Sequence, residues 1–235
     1  MIEPGDPRET LDKAREHFRD KDYPTAFELY KHFFDHALDG DPYSLYGVRL
    51  SYCLDEWARL GKKYRPAQER LEERKIESLK IFEETGKANL FHEYMAFCRC
   101  LNTPDKPIEQ FVKYHEENKD LAEKSAHYIW NQLVEAQYWE LCAAYMPDPN
   151  LRYDHSMMRF DQSMKLHRSD PVFGGENFAT QVKDWIVNDV SNILNVLKHD
   201  DQIIAFEEMK NRAYADLKEK GYPELENRIE NNIAR

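Results

Sequence analysis

The feature that most constrains this chain is a set of apolar stripes at helical spacing, cut apart by proline and glycine. Ala26, Phe27, Tyr30, Phe33, Phe34, Ala37 and Leu38 recur at steps that put them on one side of a helix. Tyr46, Leu50, Cys53, Leu54, Trp57, Leu60 and Tyr64 repeat the pattern, as do Phe91, Tyr94, Met95, Cys98 and Leu101, and later Phe178, Val182, Trp185, Ile186, Ile193 and Leu197. No segment alternates apolar and polar residues convincingly, as a half-buried strand would. Pro24, Pro42, Pro66, Pro104, Pro107, Pro147, Pro149, Pro171 and Pro223 fall between the stripes, where a missing N–H and a fixed φ do least harm. Gly40, Gly61, Gly86 and Gly221 stand at or near segment ends, as helix C-caps do. Asp148 before Pro149 reads as an N-cap with proline in the first turn.

These marks predict an all-α fold of ten helices and a short eleventh, over 8–20, 23–39, 43–63, 66–85, 88–102, 105–118, 120–146, 149–167, 176–198, 201–220 and 222–234. Short connections make successive helices antiparallel neighbours, so the chain is expected to form one domain, 1–235, of stacked hairpins. The hairpins are 8–39, 43–85, 88–118, 120–167 and 176–220, with a C-terminal helix 222–234, the layout of a solenoid. The irregular stretch 168–175 is expected to be a bend rather than a domain boundary, because both flanking helices are amphipathic.

Charge and cysteine usage narrow the function classes. The 33 Lys and Arg against 44 Asp and Glu leave a net charge of −11, which repels nucleic acid and anionic lipid. Cys53, Cys98, Cys100 and Cys142 form no CxxC pair, and the opening Met-Ile-Glu-Pro-Gly-Asp is no secretory leader, so a soluble protein of the reducing cytoplasm is expected. Every strongly apolar run is broken well short of the roughly 20 residues a membrane helix needs.

An internal echo supports stacked hairpins. Asp22-Tyr23-Pro24-Thr25-Ala26 opens one second helix and Lys63-Tyr64-Arg65-Pro66-Ala67 opens another, the tyrosines 41 positions apart. Each places a ring at the turn and a small residue in the first helical turn, where the paired helix approaches closely. Residues 8–40, with Ala14, Phe18, Asp22-Tyr23, Ala26, Tyr30 and the trailing Asp41-Pro42, resemble a tetratricopeptide repeat, and the resemblance extends over 8–85 and thins over 86–220. Phe33-Phe34 departs from the small-then-leucine pair of that family. The string Trp57, Leu60, Gly61, Tyr64 fits the family's motif, but that register buries Pro66 inside a helix, so Tyr64 is aligned with Tyr23 instead.

The resemblance implies a TPR-like α/α superhelix, a scaffold that holds a protein or peptide in a concave groove lined by the first helix of each repeat. Carried onto this chain, that face offers Arg8, Arg15 and Arg19, then Arg49, Tyr52 and Arg59. Guanidinium forks bind carboxylates bidentately, so a carboxylate-rich peptide is the expected ligand. The competing reading is an ordinary solvated face on which Asp12 and Glu16 neutralise the arginines.

Other chemistry is sparse. His32 and His36, one helical turn apart with Glu28 and Asp35 nearby, have a spacing that can chelate metal, but a metal site needs further ligands, so a polar helix face is the expected reading and no metal is expected. His199-Asp200 falls at a turn, unlike the His-Asp pair of helical metal phosphohydrolases. Cys98 and Cys100 diverge by about 200° around a helix, so one belongs in the core and one nearer solvent. Phe173-Gly174-Gly175 is expected to serve as a bend, and Met157, Phe160 and Met164 as core. P-loop, GxGxxG, HExxH and GxSxG strings are absent. The expected function is a non-catalytic interaction or adaptor module without cofactor. The alternatives are an all-helical, metal-assisted enzyme with its site in the concave surface, and a self-associating structural protein forming a homo-oligomer.

Overall fold

The structure, a computed structural model, describes residues 7–40, 45–170 and 173–233. The protein is all-α, 83% helical, with twelve helices and no strand among the described residues. They are α1 (Pro7–Arg19), α2 (Tyr23–His36), α3 (46–61), α4 (Arg65–Thr85), α5 (Ala88–Cys100), α6 (Lys106–Glu117), α7 (Lys119–Glu135), α8 (Trp139–Ala144), α9 (Pro149–Ser169), α10 (Glu176–His199), α11 (Ile203–Glu219) and α12 (Leu225–Ile233). The predicted helix start at 43, helix end at 234, Pro42, Pro171 and the opening six residues lie outside the described residues.

One predicted helix is two. The span 120–146 breaks at Gln137, whose φ of 61° is left-handed. The Tyr138 N–H reaches back to the Leu133 carbonyl at 2.9 Å, satisfying a helix-end acceptor in a Schellman turn. The same device ends α1, α5, α10 and α11, at Lys21, Asn102, Asp201 and Gly221. Only the last of these five positions is glycine, so most of the stops carry no glycine mark.

The chain divides into two compact units, the first running through Ile129 and the second from Trp130, with the division inside α7. In the first unit α1 packs on α2, α2 on α3, and α3 on both α4 and α5, with α4 and α5 a close antiparallel pair. Its core centres on Phe34, which meets Trp57 edge-on at 6.1 Å and Phe97 at 5.3 Å. Ala26 and Ala67 are fully buried, as the close-approach positions of the echo require. The Trp57 indole N–H donates to the Ala67 carbonyl at 3.0 Å and ties α3 to α4 at that point. Gly61 is needed nearby, since a Cβ there would stand 2.7 Å from the Gln68 side chain and 3.2 Å from its Cα.

Helix α3 carries a π turn over Arg49–Cys53 between the α-helical stretches Tyr46–Val48 and Leu54–Gly61. The extra residue shifts the helix face, so that Leu50 and Cys53 are buried together with Arg49 while Tyr52 points to solvent.

In the second unit α10 is the central helix, packed by α8, α9, α11 and α12. Val182, Ile186, Val190, Ile193, Leu194 and Leu197 bury its apolar side. Met157, Phe160 and Met164 of α9 are buried as expected, with Met158 turned out. Because α9 and α10 pack closely, the segment between them is a connection inside one unit. Asp148 caps α9 as predicted, accepting from the Asn150 and Leu151 N–H groups at 2.9 and 3.2 Å. No helix is long and apolar enough to cross a membrane among the described residues.

Candidate functional site

The arginines singled out from sequence go to different places. Arg15 grips Glu56 with Nε and Nη2 at 3.0 to 3.1 Å and reaches Asp12 with Nη1 at 2.9 Å. These bonds raise the Arg15 pKa, the Glu56 hydrogen bond outweighing partial burial. Arg59 approaches Glu56 at 3.8 Å, and Arg19 lines the same hollow of about 550 Å³. Its walls hold the guanidiniums of Arg15, Arg19 and Arg59 against the carboxylates of Asp12, Glu16 and Glu56, so the charges balance. Arg8 sits exposed at the start of α1 and Tyr52 exposed on the π turn, and neither lines this hollow.

Arg49 turns inward. It is 8% exposed, with its guanidinium 3.8 Å above the Phe34 ring, Nη1 donating to Glu93 at 2.8 Å and Nε donating to the Phe34 carbonyl at 2.6 Å. Its donors are committed to holding α2, α3 and α5 together.

The histidine and cysteine candidates are placed as side chains of structure. His36 bonds Asp39 through Nδ1 at 2.8 Å, and its ring lies 4.5 Å from that of His32. No group of three or more His, Cys, Asp or Glu is arranged to hold a metal ion among the described residues. His199 stacks flat on Trp139, with centroids 4.4 Å apart and planes within 3°. Cys98 is buried and Cys100 half-buried, as their spacing predicts. Burial pushes the Cys100 and Cys142 thiols up to about 12, and Cys53 and Cys98 upward as well, so thiolate is scarce at neutral pH.

The second unit holds a groove that the stripes did not announce. A hollow of about 560 Å³ is walled by Asn131 and Glu135 of α7, Arg159 of α9, and Trp185, Asn188 and Asn192 of α10. Another, of about 530 Å³, is walled by Trp139, Ser191, Asn195 and His199. The two share Glu135, Asn188 and Asn192, which makes them one groove along α10. Trp185, Asn188, Asn192, Asn195 and His199 follow at steps of three and four residues, so they occupy one face of α10, opposite its buried side.

Much of the hydrogen-bonding capacity along this face is unspent. The Asn188 and Asn192 amides bond to nothing among the described residues, whereas Asn195 donates to the Asn232 carbonyl at 3.3 Å. Ser191 is 2% exposed, and its hydroxyl has no partner among the described residues. Arg159 is held by Asp189 at 2.6 Å. Arg152 lies 3.5 Å above the Trp130 ring and donates to the Asn131 Oδ1 at 3.4 Å. Burial pulls the Arg152 guanidinium down to about 10, which still leaves it cationic at neutral pH.

The helical spacing groups Trp185 with the core stripe of α10, yet it is 48% exposed and forms a wall of the groove. The signal that marks this face is the run of asparagines at 188, 192 and 195, polar residues with low helix propensity recurring at helical spacing. Each primary amide offers one acceptor and two donors, the complement of a peptide group. Asn188 and Asn192 are separated by an axial rise of about 6 Å, close to the roughly 6.6 Å at which alternate peptide groups of an extended chain repeat. No family model, curated protein or solved structure matches this chain.

Proposed function

We propose that this protein is a non-catalytic interaction module that holds an extended peptide segment of a partner in the α10 groove. The observation that carries this reading is the pair of unpartnered amides, Asn188 and Asn192, spaced to meet alternate peptide groups of an extended chain between the walls formed by Trp185 and by the Trp139–His199 stack. The tetratricopeptide resemblance of residues 8–85 supports the same class of function, a scaffold of helical hairpins. The second-unit groove is the better seat for a peptide than the first-unit arginines, because Arg15, Arg19 and Arg59 face equal negative charge and Arg49 is spent in the core.

The test is selection from a random-sequence peptide library on the wild type and on the Asn188→Ala, Asn192→Ala variant. Sequences enriched on the wild type are expected to be lost on the variant. The variant should unfold within about 0.5 kcal/mol of the wild type, since these amides make no bond among the described residues. Equal enrichment on both proteins, or none on the wild type, would remove the groove reading.

A further inference from the structure

We propose that the segment taken by the α10 groove is basic, with a lysine or arginine side chain seated against Glu135. This rests on the peptide-groove reading and adds the charge of the ligand.

Glu135 is the wall residue of charge common to both hollows, and it is exposed. It makes no ion pair or hydrogen bond among the described residues. Of the other charges lining the two hollows, Asp189 is neutralised by Arg159 at 2.6 Å; Arg152, which stays cationic on the Trp130 ring, lines neither hollow. Among the described residues the groove between the two aromatic walls therefore presents one uncompensated carboxylate. Inside a half-enclosed hollow that charge is screened less than on an open surface, so it favours a cation and penalises an anion.

Two further features favour the same ligand. Trp185, 48% exposed in the hollow that Glu135 also lines, offers a ring face to an ammonium or guanidinium group. Residues 130–235 carry 18 Asp and Glu against 12 Lys and Arg, and the whole chain carries −11, so the long-range field draws a basic segment in. The amides specify that the cation arrives on a peptide: Asn188 and Asn192 bond main-chain groups, which a free polyamine lacks.

The experiment measures fluorescence anisotropy of labelled short peptides on the full chain. The peptides share a neutral, extended Ser/Thr host and carry lysine, glutamine or glutamate at the centre, with unlabelled spermine as a competitor. The lysine peptide is expected to bind about tenfold tighter than the glutamine peptide, a difference of about 1.4 kcal/mol, and to weaken as salt rises. Glu135→Gln should erase that preference, so that the lysine and glutamine peptides bind alike, and Glu135→Lys should transfer it to the glutamate peptide. Peptides that bind alike, or a lysine preference that survives Glu135→Gln, would overturn the charge assignment while leaving the groove reading in place. Absence of binding by all three, or binding indifferent to Asn188→Ala, Asn192→Ala, would overturn the groove reading itself. Spermine displacing the lysine peptide at equal concentration would overturn the assignment to a peptide.

Discussion

At the scale of single residues, Arg49 shows how neighbours decide the role of a charge. On a helix surface its guanidinium would be a ligand for carboxylates, but the π turn aims it at Phe34 and Glu93. Both side chains of the pair are only about a tenth exposed, so each depends on the other to offset lost hydration. Arg49→Met leaves Glu93 buried without its partner and is expected to cost about 3–5 kcal/mol in urea unfolding. The double variant Arg49→Met, Glu93→Leu should recover most of that loss, because two apolar side chains replace two desolvated charges. A single variant as stable as the wild type would show that water reaches Glu93. Arg15 is the contrasting case: partly exposed and shared between Glu56 and Asp12, it contributes less because solvent screens it.

At the scale of elements, the helix ends determine how the chain folds back on itself. Five helices close with the same Schellman turn, and at Lys21 and Gln137 its left-handed residue has a Cβ and a long side chain. A non-glycine residue in this conformation costs roughly 1–2 kcal/mol, part of which glycine gives back as extra freedom in the unfolded chain. Lys21→Gly and Gln137→Gly are each expected to raise stability by about 0.5–1 kcal/mol in denaturant unfolding. Destabilisation by either glycine would mean that the side chain, not the backbone, holds the turn. The break at Gln137 also shapes the groove. It lets α7 stop after Glu135 and α8 begin at Trp139, so that both residues reach the groove along α10.

At the scale of the whole molecule, helix content and charge are the two global properties. With 83% of the structure helical, circular dichroism of the full chain should show a dominant helical spectrum, and substantial sheet in that spectrum would contradict the architecture. The excess of acidic residues belongs to the same scale, since no single ion pair sets it: many of the surface arginines and lysines are matched locally, and what remains is a diffuse negative field. Such a field opposes acidic partners and accelerates encounter with basic ones, in the same direction as the unpaired Glu135 within the groove.

The sequence by itself determined the class of fold, the approximate bounds of most helices and much of the core. Ala26, Ala67, Phe160 and Met164 are buried where their spacing placed them, and Asp148 caps the helix it was expected to cap. These features are legible because a helix has a fixed period and a cap acts within a few residues. The break at Gln137, the inward turn of Arg49 and the exposure of Trp185 were decided by tertiary structure. Each depends on which face of a helix its neighbours cover, and a period alone does not tell a face that packs from one left open. The groove belongs to the second kind: α10 is packed by four helices, and the part of its polar face that carries Trp185 and Asn188 stays exposed between them.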